Sequence, residues 1–168
     1  MIHGDNPFSP EIDDRLRRFR GRLVTPVTII TSGDDQTQTG LTVSSLFAID
    51  GTPPLLYAAV GPNSDLFDVV QKTGKFVVHI CMQGHDGIAE VFAGLRPSPG
   101  GMFASADWEP SAWGPTLSAM PDRAFCSFQT IDEVGWSGIL VGRIDETSHT
   151  DLVEPLVHFR GSYRKLDS

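Results

Sequence analysis

The 168 residues, 40% hydrophobic and 20% charged, suit one globular domain built on a single core. Seventeen glycines and 12 prolines exceed the roughly 12% usual for the pair, which points away from a helical bundle and towards an all-β or β-rich barrel. Thirteen basic against 21 acidic residues leave a net charge of −8, which argues against a general nucleic-acid or anionic-membrane surface but leaves room for a small anion pocket. Cys81 and Cys126 lie in apolar runs (FVVHIC and AFCSF), outside any metal-ligand spacing, and read as buried free thiols. The first residues, MIHGDNPFSPEIDD, carry acids and a proline where a secretory signal needs a basic start and an apolar stretch. No run approaches the ~18 apolar residues of a membrane span. A single cytoplasmic, soluble domain over residues 1–168 is expected, with residues 1–20 as a helical arm.

In chain order, SPEIDDRLRRFR (9–20) predicts a helix, with proline in the first turn, acids after it and arginines at the end. RLVTPVTIIT (22–31) predicts a β-strand with a bulge or edge at Pro26, because proline cannot donate to a neighbour. SGDDQTQTG is a polar hairpin turn, GLTVSSLFAID a second strand, and PPLLYAAVG a third. An Asn63-Ser64 pair caps a helix over LFDVV that Gly74 closes. KFVVHICM is a fourth strand and DGIAEVFAG a short helix. Residues 94–117 hold much of the proline and glycine surplus and read as a long functional loop. RAFCSFQTID, GILVGRID and PLVHFRGSYRKL follow as three strand-like runs. Together these predict a mainly β, antiparallel split barrel decorated with a few short helices.

The sequence holds no GxSxG, GxxxxGK[ST], HExxH or GxGxxG element, so the common hydrolase, nucleotidase, zinc-protease and Rossmann chemistries have no local support. His3, His79, His85, His149 and His158 are scattered without ligand spacing, and no metal site is expected. Gly40-Leu41-Thr42-Val43-Ser44-Ser45 packs hydroxyls into a strand, with Thr42 and Ser44 on one face and Val43 and Ser45 on the other. Such a row suits a phosphate or the polar edge of a flat ring; a hydroxyl-rich surface strand accounts for it as well. Asn63 and Ser64 likewise serve either as a helix cap or as part of an anion site at a helix N-terminus.

Taken in order from about Arg18 to Leu166, TPVTIIT, GLTVSSLFAID, PPLLYAAVGPNSDLFDVV, GKFVVHIC, AEVFAG and PLVHFRGSYRKL resemble the flavin reductase-like proteins of the FMN-binding split-barrel class. The resemblance implies a homodimer with flavin at the subunit interface, reduction of FMN or FAD by NADH or NADPH, and delivery of reduced flavin to a partner monooxygenase. Carried over by position, it places Thr28, Thr42, Val43, Ser44 and Ser45 along the ribityl and phosphate region, Ala58, Ala59 and Val60 beside the ring, and Asn63 and Ser64 at the phosphate. Phe92 is placed at the pocket border, and Arg160 supplies charge. The chain departs from the family where many members carry Gly-Asp-His: here Gly135-Trp136-Ser137 stands. His79 replaces the usual asparagine of the fourth strand. Trp136, Ser137 and His79 are therefore the nicotinamide-site candidates, with the 94–117 loop shaping that site.

Hydride transfer between stacked rings needs no protein acid or base, which agrees with the missing triad. Two alternatives stay open. One is a flavin- or haem-binding split barrel without turnover. The other is an oxidase of the pyridoxamine-phosphate type, which calls for a clustered basic phosphate site that the sequence does not display.

Overall fold

The computed structural model describes residues 14–151 and 154–166. Helix α1 covers Asp14–Arg20; residues 9–13 of the expected helix lie outside the described residues. Strands β1 (Thr25–Pro26) and β2 (Thr28–Ser32) divide the run predicted as one strand. Pro26 sits in β1, at the edge of a small sheet, so its missing N–H costs no ladder bond.

The second predicted strand is two. β3 (Thr39–Val43) and β4 (Leu46–Ile49) are separated by Ser44 and Ser45 alone. With β5 (Leu55–Val60), β6 (Lys75–Ile80), β9 (Arg123–Val134) and β10 (Ser137–Ser148) they build an antiparallel sheet in the order β3-β2-β6-β9-β10-β5-β4. β3 and β4 are thus its opposite edges, although three peptide steps, at most about 11 Å, join them. The sheet must curl until its edges meet, and the result is a split half-barrel crossed at the split by Ser44-Ser45. The Ala59 N–H donates to the Ser45 carbonyl at 2.8 Å and holds the crossing to β5.

Strand periodicity sorts two cores. Ile30, Val78, Leu56, Ala58 and Leu140 point into the barrel. Ile29, packed with Cys81, Phe92, Leu117 and Met120, belongs to a second cluster. Hence β2 is buried along its whole length. Helix α2 (Asp65–Thr73) plugs the barrel with Leu66 and Val70. Its cap follows the sequence reading: the Ser64 hydroxyl accepts from the Phe67 N–H, and Gly74 turns left-handed at φ 71°. Helix α3 (Asp86–Phe92) serves the second core. Gly142 on β10 meets the Phe76 ring so closely that a Cβ there would lie 2.3 Å from it.

The 94–117 segment is not irregular throughout. It contains a 3-10 turn at Met102–Ser105 and a small hairpin of β7 (Trp108–Glu109) and β8 (Thr116–Leu117). The last predicted run is likewise a hairpin, β11 (Leu156–Phe159) and β12 (Ser162–Lys165), with the tail adding four strands instead of three. Its turn places Arg160 at φ 51° and Gly161 at φ 75°. No described helix is long and apolar enough to cross a membrane.

Candidate functional site

The split is where the barrel opens to solvent. Ser44 is half-buried and Ser45 exposed there, and both line a groove of about 780 Å³. The opposite walls come from α1 with the turn after it and from the β11–β12 turn. They bring Arg17, Arg18, Arg20, Arg22 and Arg160 into one groove, together with His158. Five of the 13 cationic residues of a −8 chain thus converge on one place. The clustered basic site that the sequence did not display is made by the fold, because residues 17–22 and residue 160 are far apart in the chain. Arg17 has a long contact to Asp14 at 3.8 Å. The Arg160 N–H donates to the Gly21 carbonyl at 3.0 Å, tying the two arginine-bearing walls together. Its guanidinium lies over the Phe159 ring at 5.4 Å, and His158 meets Tyr163 edge-on at 6.0 Å.

Ala58, Ala59 and Val60 lie on β5 next to this crossing. Ala58 and Val60 point into the barrel and are buried, while Ala59 is half-buried and faces outward beside Ile139 of β10. Val60 pairs with Gly138, adjacent to Ser137, and Trp136 stands 48% exposed at the tip of the β9–β10 hairpin. Asn63 is exposed at the mouth of α2, and the Ser64 hydroxyl is already engaged, donating to the Gly61 carbonyl at 2.7 Å as it caps the helix. Asn63, Ser64 and Trp136 are not among the walls of the groove.

Several expected site residues have other duties. The Thr28 hydroxyl donates to the Val43 carbonyl at 2.6 Å and is buried; the Thr42 hydroxyl donates to the Ala89 carbonyl of α3 at 2.6 Å. Val43 is a core residue. Phe92 is buried between Gly40 and Phe103, edge-on to the latter at 5.3 Å, so it supports β3 and does not border the groove.

His79, expected at the nicotinamide, is fully buried. Its Nδ1 lies 3.0 Å from the Ile29 carbonyl, and its Nε2 accepts from the Leu117 N–H at 3.0 Å. This pattern places the proton on Nδ1. Burial holds its pKa down at about 4, with the Arg123 charge contributing and the Ile29 bond opposing. Both ring nitrogens are spent, so His79 ties the 94–117 segment to the sheet. The Thr31 hydroxyl bond to the Pro115 carbonyl and the Arg123 bond to the Leu117 carbonyl fasten the same segment, and a second Arg123 bond holds the Met120 carbonyl just beyond it. Further along, the Trp113 indole donates to Asp145 at 3.0 Å. β2 runs from Thr28, beside Val43, to Ser32, beside Thr39; Gly114 and Pro115 meet it at Ser32 and Thr31, the end away from Ser44, whereas Leu117, bound to His79 opposite Ile29, lies towards the Ser44 end. Sequence reasoning missed Arg17, Arg18, Arg20, Arg22 and His158 as groove residues. The local signal for the four arginines is the charge density of RLRRFRGR; His158 lies outside that run.

The flavin reductase like domain model matches residues 20–167. The chain belongs to the flavin reductase like domain family. It is 28% identical over 169 residues to the reductase subunit HsaB of a flavin-dependent monooxygenase from Rhodococcus jostii, covering 99% of this chain and 85% of that one. It is 26% identical over 151 residues to the FMN reductase (NADH) RutF of Ancylobacter novellus, covering 89% and 83%. The fold matches the Streptomyces globisporus NADH:FAD oxidoreductase SgcE6, solved in complex with NAD and FAD fragments, with a TM-score of 0.82 at 24% identity over 92% of this chain and 93% of that one. A guanidinium cluster with two serines fits a phosphate-bearing ligand, and the small Ala59 on the outward face of β5 permits close approach of a flat ring. Among the described residues no group of three or more His, Cys, Asp or Glu gathers in a metal-holding arrangement.

Proposed function

We propose that this chain is an NAD(P)H:flavin oxidoreductase that binds FMN or FAD at the split and supplies reduced flavin to a partner monooxygenase. The observation that carries the reading is the convergence of Ser44 and Ser45 with five arginines in one groove. The relatives support it: one is the reductase subunit of a flavin-dependent monooxygenase and another an FMN reductase using NADH. A flavin bound in the groove accepts the hydride of NADH or NADPH; that is the chemistry it supplies. Ser44 and Ser45 would hold its polar chain, the small outward-facing Ala59 would let the ring lie against β5, and the arginines would stabilise the negative charge gained on reduction. No side chain has to move a proton in the hydride step, and no buried acid or base is needed.

The groove also supplies the basic cluster that a pyridoxamine-phosphate oxidase would use. The family match and the relatives' activities decide for the reductase. A homodimer is part of the proposal. Phe47 and Ile49 on the β4 edge are 59% and 46% exposed, Tyr57 stacks on Phe47 at 5.3 Å, and Ile139 continues this outward apolar face. A face of this kind on a sheet is normally covered. Ser44→Asp tests the site by setting a carboxylate against the bound phosphate. Flavin retention should be abolished with the fold intact; unchanged flavin affinity refutes the assigned groove.

A further inference from the structure

We propose that α1 is held by a second copy of this chain, whose β9–β10 hairpin tip packs on its apolar stripe and brings Trp136 to the rim of the neighbour's groove. Helix α1 has seven residues and buries none of them. A helix that short is unstable in water without packing. Its apolar positions, Leu16 and Phe19, with Leu23 following at helical spacing, are 52%, 62% and 51% exposed, and Val24 is 57% exposed. The stripe is therefore made and left uncovered within the chain, while the arginines beside it face the groove.

The hairpin tip is its complement in both polarity and charge. Val134 and Trp136 are 59% and 48% exposed, and Asp132 is exposed beside them. The stripe is apolar among arginines, whereas the tip is apolar among acids. Unlike charges steer and orient such a contact while apolar side chains supply its core. The tip also leads into β10, the strand that carries Ile139 of the outward face assigned above to the dimer, so the two contacts are continuous. A two-fold axis forms the tip-to-helix contact twice, since each copy owns both halves. The inference deepens the reductase reading and rests on it only for the meaning of the groove. It explains why Trp136, expected at the site, is absent from the walls of its own chain's groove.

Native Cys81 and Cys126 are fully buried, so engineered thiols at the surface report without interference. Phe19→Cys and Trp136→Cys, made in separate chains and mixed under mild oxidation, should give a disulfide-linked dimer that neither variant gives alone. Phe19→Asp, at a side chain that supports no core, should raise the dimer dissociation constant at least tenfold in sedimentation velocity, with the circular dichroism of the barrel unchanged. A wild-type chain that sediments as a monomer, or a dimer that neither cross-links at these positions nor weakens with Phe19→Asp, overturns the inference. In the second case the reductase reading survives if NADH still bleaches the bound flavin. Loss of bleaching in a protein that cross-links as stated leaves the interface standing and removes the reductase.

Discussion

His79 sets a specific acid sensitivity. In the folded chain its neutral ring accepts from the Leu117 N–H and engages the Ile29 carbonyl, and its pKa is held at about 4, against the ordinary 6.5. A second proton would sit on Nε2, where it faces another N–H instead of a lone pair. Between these two values the unfolded chain binds a proton that the folded chain refuses. Stability is therefore fully present above about pH 6.5 and is lost as the pH falls towards 4. At 1.36 kcal/mol per unit, the shift implies about 2 kcal/mol lost between roughly pH 7.5 and pH 5, and roughly 3 kcal/mol in full. Urea unfolding at several pH values, for the wild type and for His79→Gln, isolates the effect: the variant starts lower, but its stability should vary with pH by about 2 kcal/mol less over that interval. Equal pH dependence in the two proteins refutes the reasoning. Because His79 anchors the 94–117 segment, proteolysis within that segment should accelerate over the same pH range.

Two further outcomes follow from the packing. Gly142→Ala sets a methyl group into the Phe76 ring and 3.2 Å from the Cys126 Cβ; overpacking at so enclosed a place should cost about 1–3 kcal/mol, read as a fall in Tm, and an unchanged Tm contradicts the packing described. Burial pushes the Cys81 and Cys126 thiols up to about 12. Both should resist thiol reagents near neutral pH and react in urea, and fast labelling of the native protein contradicts their placement.

Much of the fold was legible in the sequence because its signals are local. The β-branched run around Ile29 and Ile30, the Ser64 cap and the Gly74 stop of α2 each specify a conformation from neighbouring residues. The break at Ser44-Ser45 was not legible. Nothing in GLTVSSLFAID differs from a continuous strand; the chain divides there because the curled sheet brings its two edges together. The arginine groove was hidden for a related reason, since it joins α1 to a turn near the other end of the chain. His79 shows a third limit. Its alternation with Phe76 and Val78 places it on the opposite face of β6, but only the returning 94–117 segment shows that this face is buried. Of the residues placed at the flavin by position, the fold brings Ser44 and Ser45 to the crossing and into the arginine groove. Thr28, Thr42 and Phe92 have partners within the chain that no local pattern announces: the Val43 carbonyl, the Ala89 carbonyl and the Phe103 ring.

The central claim is that the split between β3 and β4 is a flavin site at which a nicotinamide delivers its hydride. It is tested most directly by loading the purified protein with FMN or FAD, removing oxygen, and adding NADH or NADPH while following the flavin's yellow absorbance. The account predicts rapid bleaching with at least one nicotinamide in the wild type, and no protein-bound flavin to bleach in Ser44→Asp. A bound flavin whose colour neither nicotinamide changes contradicts it.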